Sequence, residues 1–146
     1  MSKAARAIII ENEQILVMQR DKNGLQYFTL VGGGVKAGEA LEDAVIREVK
    51  EETGLDVTST RLVYIEELPE PYQEQYTYIC EVAPHGDVKI QDTSEEAYMN
   101  KIGLNMHTPA WINLKVFEKI QFRSIQLQDA IIKAIKTGFP SEPTKI

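Results

Sequence analysis

Three glutamates near the middle of the chain, Glu48, Glu51 and Glu52, stand at i, i+3, i+4 spacing, which on a helix points them in one direction. The segment that holds them, Glu39 to Thr53, reads as a helix. Its early apolar positions Leu41, Ala44 and Val45 share a face that Val49 continues. At 100° per residue, Glu48 and Glu52 fall within about 20° of Leu41, and Glu51 borders Ala44. Carboxylates therefore take over the inward stripe in the last turns. Burying each one costs several kcal/mol unless a positive partner offsets it, and a helix C-terminus already disfavours negative charge. Hard cations with oxygen ligands, Mg2+ or Mn2+, resolve the conflict. For three clustered glutamates alone, a solvated acidic helix end neutralised by Arg47 and Lys50 is the plainer reading.

The upstream context changes the balance. An apolar run, Tyr27 to Val31, feeds Gly32-Gly33-Gly34, expected to be a loop leading into the helix. Glycines let a backbone approach a ligand closely, and amides at a helix start favour anions. A nucleotide-triphosphate P-loop is excluded, because no Gly-Lys-Ser/Thr follows. Gly32, Gly34 and Ala37 match G-x-G-x-x-A. About 20 residues on, however, the chain is still finishing the helix rather than ending a second strand with a ribose-binding acid.

The whole stretch resembles the Nudix hydrolase signature: Gly33-x5-Glu39-x7-Arg47-Glu48-Val49-x-Glu51-Glu52-x-Gly54-Leu55, complete in 23 residues. Chance matches in a chain of this size are expected on the order of 10⁻⁷ times. Trp111-Ile112-Asn113-Leu114 is a further, weaker landmark, and Val31 departs from the proline usual before the glycines. The resemblance implies a Nudix-fold α/β/α sandwich with a mixed sheet, and hydrolysis of a nucleoside diphosphate linked to a group X. It implies that Glu48, Glu51 and Glu52 bind Mg2+ or Mn2+, that the Gly33 carbonyl adds an oxygen, that Glu39 organises the site and that Arg47 orients the glutamates. The box carries Lys36, Arg47 and Lys50 against six carboxylates, half the chain's net charge of -6. A nucleotide-binding sensor that keeps the fold without cleaving is the alternative, although every box glutamate is present.

The general base is open between Glu48, in the cluster, and Glu95 or Glu96 from a later loop; capping competes as a role for Glu96, spaced from Thr93 as in a capping box. Gly33 and Gly34 are expected beside substrate, with Arg20 at a strand end for phosphate and Tyr27, Phe28 or Tyr72 for base stacking. His107 could reach a substrate but reads by default as a surface or structural histidine, and His85 as a solvent-facing turn residue. Pro69, Pro71 and Tyr72 fall where the family's hints for ADP-ribose and for dinucleoside polyphosphates collide, so X stays open.

These residues need a scaffold. Ala4–Ile10 and Gln14–Gln19 read as a hairpin around Glu11-Asn12-Glu13, and Asp21 to Gly24 as a turn. Gly54 stops the box helix; strands follow at Arg61–Glu66 and Gln75–Val82. After an irregular stretch to Pro109, Ala110–Leu114 reads as extended and Ser124–Lys136 as an amphipathic helix ended by Gly138. One domain over residues 1–138 and a loose tail over 139–146 are expected.

At 146 residues with 43% hydrophobic and 26% charged content, the chain can build a core without disulfides, and its single cysteine, Cys80, favours a reducing, cytoplasmic setting. The net charge argues against binding DNA or RNA through a general basic surface. The apolar run Ala7-Ile8-Ile9-Ile10 is far short of the roughly 20 residues of a membrane span, and too short for a leader core. A small nucleotide diphosphate is the expected partner, and family precedent makes a homodimer reasonable.

Overall fold

Ala5, Ala7, Leu16 and Val31 are buried in one core cluster, while their chain neighbours Ile8, Ile15, Val17 and Leu30 are buried in another. Strand side chains alternate between faces, so these neighbours mark the two sides of one sheet. The computed structural model describes residues 2–69, 73–91, 94–103 and 105–146, apart from the side chains of Glu95 and Ile102.

The strands are β1 (Lys3–Ile8), β2 (Ile10–Glu11), β3 (Gln14–Lys22), β4 (Leu25–Gly34), β5 (Val57–Glu67), β6 (Glu74–Val82), β7 (Asn105–Asn113) and β8 (Thr144–Lys145). The helices are α1 (Leu41–Thr53), α2 (Glu95–Ile102), α3 (Leu114–Phe117) and α4 (Ile125–Thr137). The sheet runs β2-β3-β4-β1-β6-β5-β8, with β7 on β3. Its β1–β6 and β5–β8 pairs are parallel and the rest antiparallel. Helix α1 covers one face through Ala44, Val45 and Val49; α3 and α4 cover the other through Phe117, Leu127 and Ile131. This is the expected α/β/α sandwich with a mixed sheet. Each buried valine or leucine on these faces contributes roughly 1.5–3 kcal/mol. No helix among the described residues is long and apolar enough to cross a membrane.

Several local expectations change. The first apolar run does not form one hairpin arm. It breaks at Ile9, so that only β2 folds back on β3 over Asn12 and Glu13, at φ 51° and 61°. The earlier part, β1, inserts between β4 and β6 instead. Alternation cannot reveal that choice of partner. The three glycines are not a free loop: they prolong β4, with Gly32, Gly33 and Gly34 opposite Arg6, Ala5 and Ala4. A side chain at Gly32 would stand 2.1 Å from the Ala5 carbonyl, and its φ of 144° is unfavourable for other residues.

Helix α1 begins at Leu41, leaving Glu39 in the turn before it. There its carboxylate accepts from the Lys36 amide at 3.0 Å. The end is as expected, with Gly54 in the left-handed region donating to Lys50 O. Helix α2 is capped by Ser94, whose hydroxyl accepts from the Ala97 amide; Thr93 lies outside the described residues. Strand β7 runs through Pro109, tolerable because β7 is an edge strand. The segment after Gly138 is tied down. Strand β8 lies beside β5, Ile146 N donates to Ile65 O at 3.0 Å, and Arg61 donates to Pro140 O. Phe139 and Ile146 pack against the α4 core, an apolar contribution that the Pro/Ser/Glu composition concealed.

Candidate active site

Glu48 and Glu52 lie one helical turn apart on α1, and both are buried, at 6% and 2% exposure. Glu96, in the first turn of α2, meets them from a different element. One oxygen from each of the three carboxylates falls within 4.8 Å of the others. Glu51 is not in this trio and is held by Arg47 instead.

Arg47 is the hub. It grips Glu39 through Nε and Nη2 at 2.9 and 3.0 Å, and donates through Nη1 to Glu48 at 3.1 Å and Glu51 at 3.2 Å. Its Nη2 also reaches the Gly34 carbonyl at 3.0 Å, fastening helix α1 to the end of β4. The Arg47 bonds and the Lys36 amide hold the Glu39 carboxyl down to about 2. The Gly32 amide donates to Glu52 at 3.2 Å, and a side chain at Gly33 would come within 2.8 Å of the Glu48 carboxylate. Close backbone approach is what these glycines allow.

The electrostatics point one way. Burial, then Glu96, pushes the Glu48 carboxyl up to about 7. Burial, Glu96 and Glu48 push Glu52 well above the usual range, although Arg6 and the Gly32 amide oppose this. Glu48 Oε2 is buried without a protein hydrogen-bond partner. Like charges crowded in low dielectric, with an orphaned oxygen, fit a hard divalent cation with oxygen ligands.

A cavity of about 320 Å³ opens beside the carboxylates, bounded by Gly33 and Gly34 on one side and by Arg6, Arg20, Asn105 and His107 on the other. Arg20 bonds Asn105 Oδ1 at 3.2 Å, and its Nε is buried without a partner. His107, with a surface or structural default from sequence, is buried at the cavity wall. Its Nδ1 faces Asn105 O at 2.8 Å, and burial, then Arg20, holds the ring down to about 4. His85, expected to face solvent from a turn, instead has its side chain mostly covered, at 19% exposure: the ring stacks on Trp111 and bonds Glu11 Oε1 at 2.6 Å.

Phe28 is not at the cavity. It faces the α4 core, while its neighbours Tyr27 and Thr29 point to the opposite side of β4. Tyr72 lies outside the described residues. Arg6, Thr29 and Asn105 were not anticipated. Arg6 had a signal, as the one charged residue between Ala4 and Ile10. Asn105 and Thr29 had none, because only the pairing of β7 and β4 with β3 brings them together.

Fold and site together define a class: an α/β/α sandwich in which a buried acidic helix face closes on the glycine end of a strand. The chain belongs to the NUDIX domain family, whose sequence profile matches residues 1–126. An ADP-ribose pyrophosphatase of Methanocaldococcus jannaschii is 37% identical over 99 residues, covering 64% of this chain and 58% of that protein. The NAD-capped RNA hydrolase NudC of Pectobacterium atrosepticum is 32% identical over 81 residues, covering 56% of this chain. The matches thus span 58% and 31% of these relatives' lengths. A NUDIX hydrolase structure from Nitrosomonas europaea shares the fold, with a TM-score of 0.70 at 17% identity over 94% of this chain and 90% of that one.

Proposed function

We propose that the chain hydrolyses the diphosphate bond of a nucleoside diphosphate linked to a group X, with Mg2+ or Mn2+ as cofactor and water attacking phosphorus. The convergence of Glu48, Glu52 and Glu96 oxygens within 4.8 Å carries this reading. These carboxylates, with the Gly33 carbonyl, would hold the cation, and Glu51 borders them. A bound divalent cation supplies neutralising charge for the diphosphate and acidifies water.

The chain's own groups do the rest. Arg47 fixes the rotamers of Glu48 and Glu51 and ties them to Glu39 and Gly34, so the carboxylates are set before substrate arrives. Arg20, facing the same cavity, offers its guanidinium charge to a phosphate oxygen. Glu96, the least buried of the three and on a separate helix, takes the proton of the attacking water. The two relatives, an ADP-ribose pyrophosphatase and a NAD-capped RNA hydrolase, favour ADP-ribose and NAD-like dinucleotides as first substrates to try. The buried free thiol of Cys80 suits a reducing, cytoplasmic setting.

Purified protein is assayed with Mg2+ against ADP-ribose, NAD, nucleotide sugars, dinucleoside polyphosphates and nucleoside triphosphates, with products read through a coupled phosphatase. Metal-dependent turnover that disappears in Glu52→Gln, together with calorimetric loss of Mg2+ binding, is the expected result. Nucleotide binding without turnover across the panel would replace the hydrolase with a binding module.

A further inference from the structure

A second cavity, of about 290 Å³, adjoins the first; Arg6, Arg20 and Thr29 line both. Beyond this shared wall, the first cavity has the carboxylates Glu48, Glu52 and Glu96. The second has Lys22, Arg123, Tyr27 and Gln75, with no carboxylate among its described lining residues. The chain's net charge is -6, so four cations around one cavity run against its overall composition.

The cations are placed by the fold. Arg20 and Lys22 alternate onto one side of β3, opposite Tyr27 and Leu25 of β4. Phe28 N donates to Gln121 O at 2.8 Å and Arg123 N to Phe28 O at 3.0 Å, which fastens the approach to α4 along β4. This leaves the Arg123 guanidinium 4.0 Å from the Tyr27 ring centroid, with that of Arg20 at 5.6 Å from the same ring. Two guanidiniums thus share one aromatic ring. The nearby carboxylate of Glu66 is already engaged by Gln75 and Ser124, behind the cavity wall. Arg6 is spent on Gln75 and on the Gly32 and Leu30 carbonyls, whereas Lys22 and Arg123 are exposed. Clustered like charges around an open volume are relieved by a bound anion, and a guanidinium fork matches a phosphate.

We propose that this cavity binds a phosphomonoester remote from the scissile diphosphate, so that the substrate is a nucleoside diphosphate–X molecule bearing a separate phosphate. This rests on the hydrolase reading and deepens it. The two cavities meet at Arg6 and Arg20, so one extended molecule would lay its diphosphate by the carboxylates and its extra phosphate by Lys22 and Arg123. That phosphate sits on X or on the nucleoside's ribose.

The test uses three matched compounds: ADP-ribose, ADP-ribose with a phosphate on its terminal ribose, and ADP-ribose with a phosphate on the adenosine 2′-hydroxyl. One phosphorylated compound is expected to exceed ADP-ribose in kcat/KM by roughly tenfold or more, mainly through KM. The compound preferred tells which half carries the phosphate. In the Lys22→Gln/Arg123→Gln double variant that advantage shrinks to within about threefold of unity. Preference for unphosphorylated ADP-ribose, or an advantage that survives the double variant, overturns the proposal while leaving the hydrolase intact.

Binding is read independently of turnover. In EDTA at fixed ionic strength, pyrophosphate should raise the melting temperature of the wild type by roughly 2 °C or more and leave the double variant unmoved. No shift in the wild type, or an equal shift in both, also overturns the proposal. Absent metal-dependent hydrolysis of all three compounds counts against the hydrolase reading, and the pyrophosphate result then decides the anion site by itself. Lys22 and Arg123 are exposed, and Lys22→Gln alone, at a hairpin end, serves if the double variant folds poorly.

Discussion

The Arg47 guanidinium meets the Glu39 carboxylate side-on, with Nε to Oε2 at 2.9 Å and Nη2 to Oε1 at 3.0 Å. The pair spans the junction between the turn after β4 and helix α1, and the same guanidinium continues to Glu48, Glu51 and Gly34. One side chain therefore couples the register of the helix to the end of the strand. Both partners are mostly shielded, at 22% and 15% side-chain exposure, so solvent weakens the pair less than it would a surface bridge.

Arg47→Gln should cost about 2–4 kcal/mol in urea unfolding, because it leaves Glu48 buried without its cation. Arg47→Lys should recover only part of this, since an ammonium cannot form the two-point fork. A loss within 0.5 kcal/mol, roughly the size of a surface substitution, would show that Arg47 does not anchor the helix.

Metal and pH should act on the same carboxylates. The Glu48 carboxyl lies at about 7 in the metal-free fold, above its ordinary value of 4.5, and Glu52 is raised as well. A raised pKa means the folded state binds the extra proton. Its stabilising contribution is present below about pH 4.5 and is lost as pH rises through 7, on the order of 2 kcal/mol. In EDTA, melting temperatures should therefore fall between pH 5.5 and 8, and MgCl2 should restore them at pH 8. Glu48→Gln should flatten the slope. A flat EDTA profile in the wild type would contradict this burial electrostatics.

The neighbouring glycines should fail differently. In Gly32→Ala the new methyl meets the Ala5 backbone, which cannot yield, so at least about 2 kcal/mol of stability should go. In Gly33→Ala it meets the end of the Glu48 side chain, which can rotate away. Folding should survive, while Mg2+ affinity by calorimetry falls roughly 10- to 100-fold. Equal melting temperatures for the two variants would refute the distinction.

Truncation after Gly138 removes β8 and the packing of Phe139 and Ile146. The loss should be about 1–3 kcal/mol in chemical denaturation, with turnover per folded molecule retained. A truncated chain as stable as the full one would return the segment to the status of a loose tail.

Much of the site was legible because it lies within one stretch of sequence. Glu48, Glu51, Glu52, Arg47 and Glu39 sit in helical or near-helical spacing, and the i, i+4 bond between Arg47 and Glu51 follows from spacing alone. Alternating apolar runs likewise announced most strands, and Gly54 and Gly138 the ends of the two long helices.

What the sequence by itself determined was local: which segments are helical or extended, and that carboxylates replace the inward stripe of α1. The tertiary structure alone decided which distant groups meet those carboxylates. Glu96 joins Glu48 and Glu52 from α2, beyond the intervening strands β5 and β6, leaving Glu51 outside the trio. Arg6 comes to the site because β1 inserts beside β4, and His107 and Asn105 because β7 pairs with β3. The physical reason is that side-chain periodicity reports the face a residue occupies. Partner strands are selected by burial and hydrogen-bond closure over the whole sheet, and that selection has no local signature.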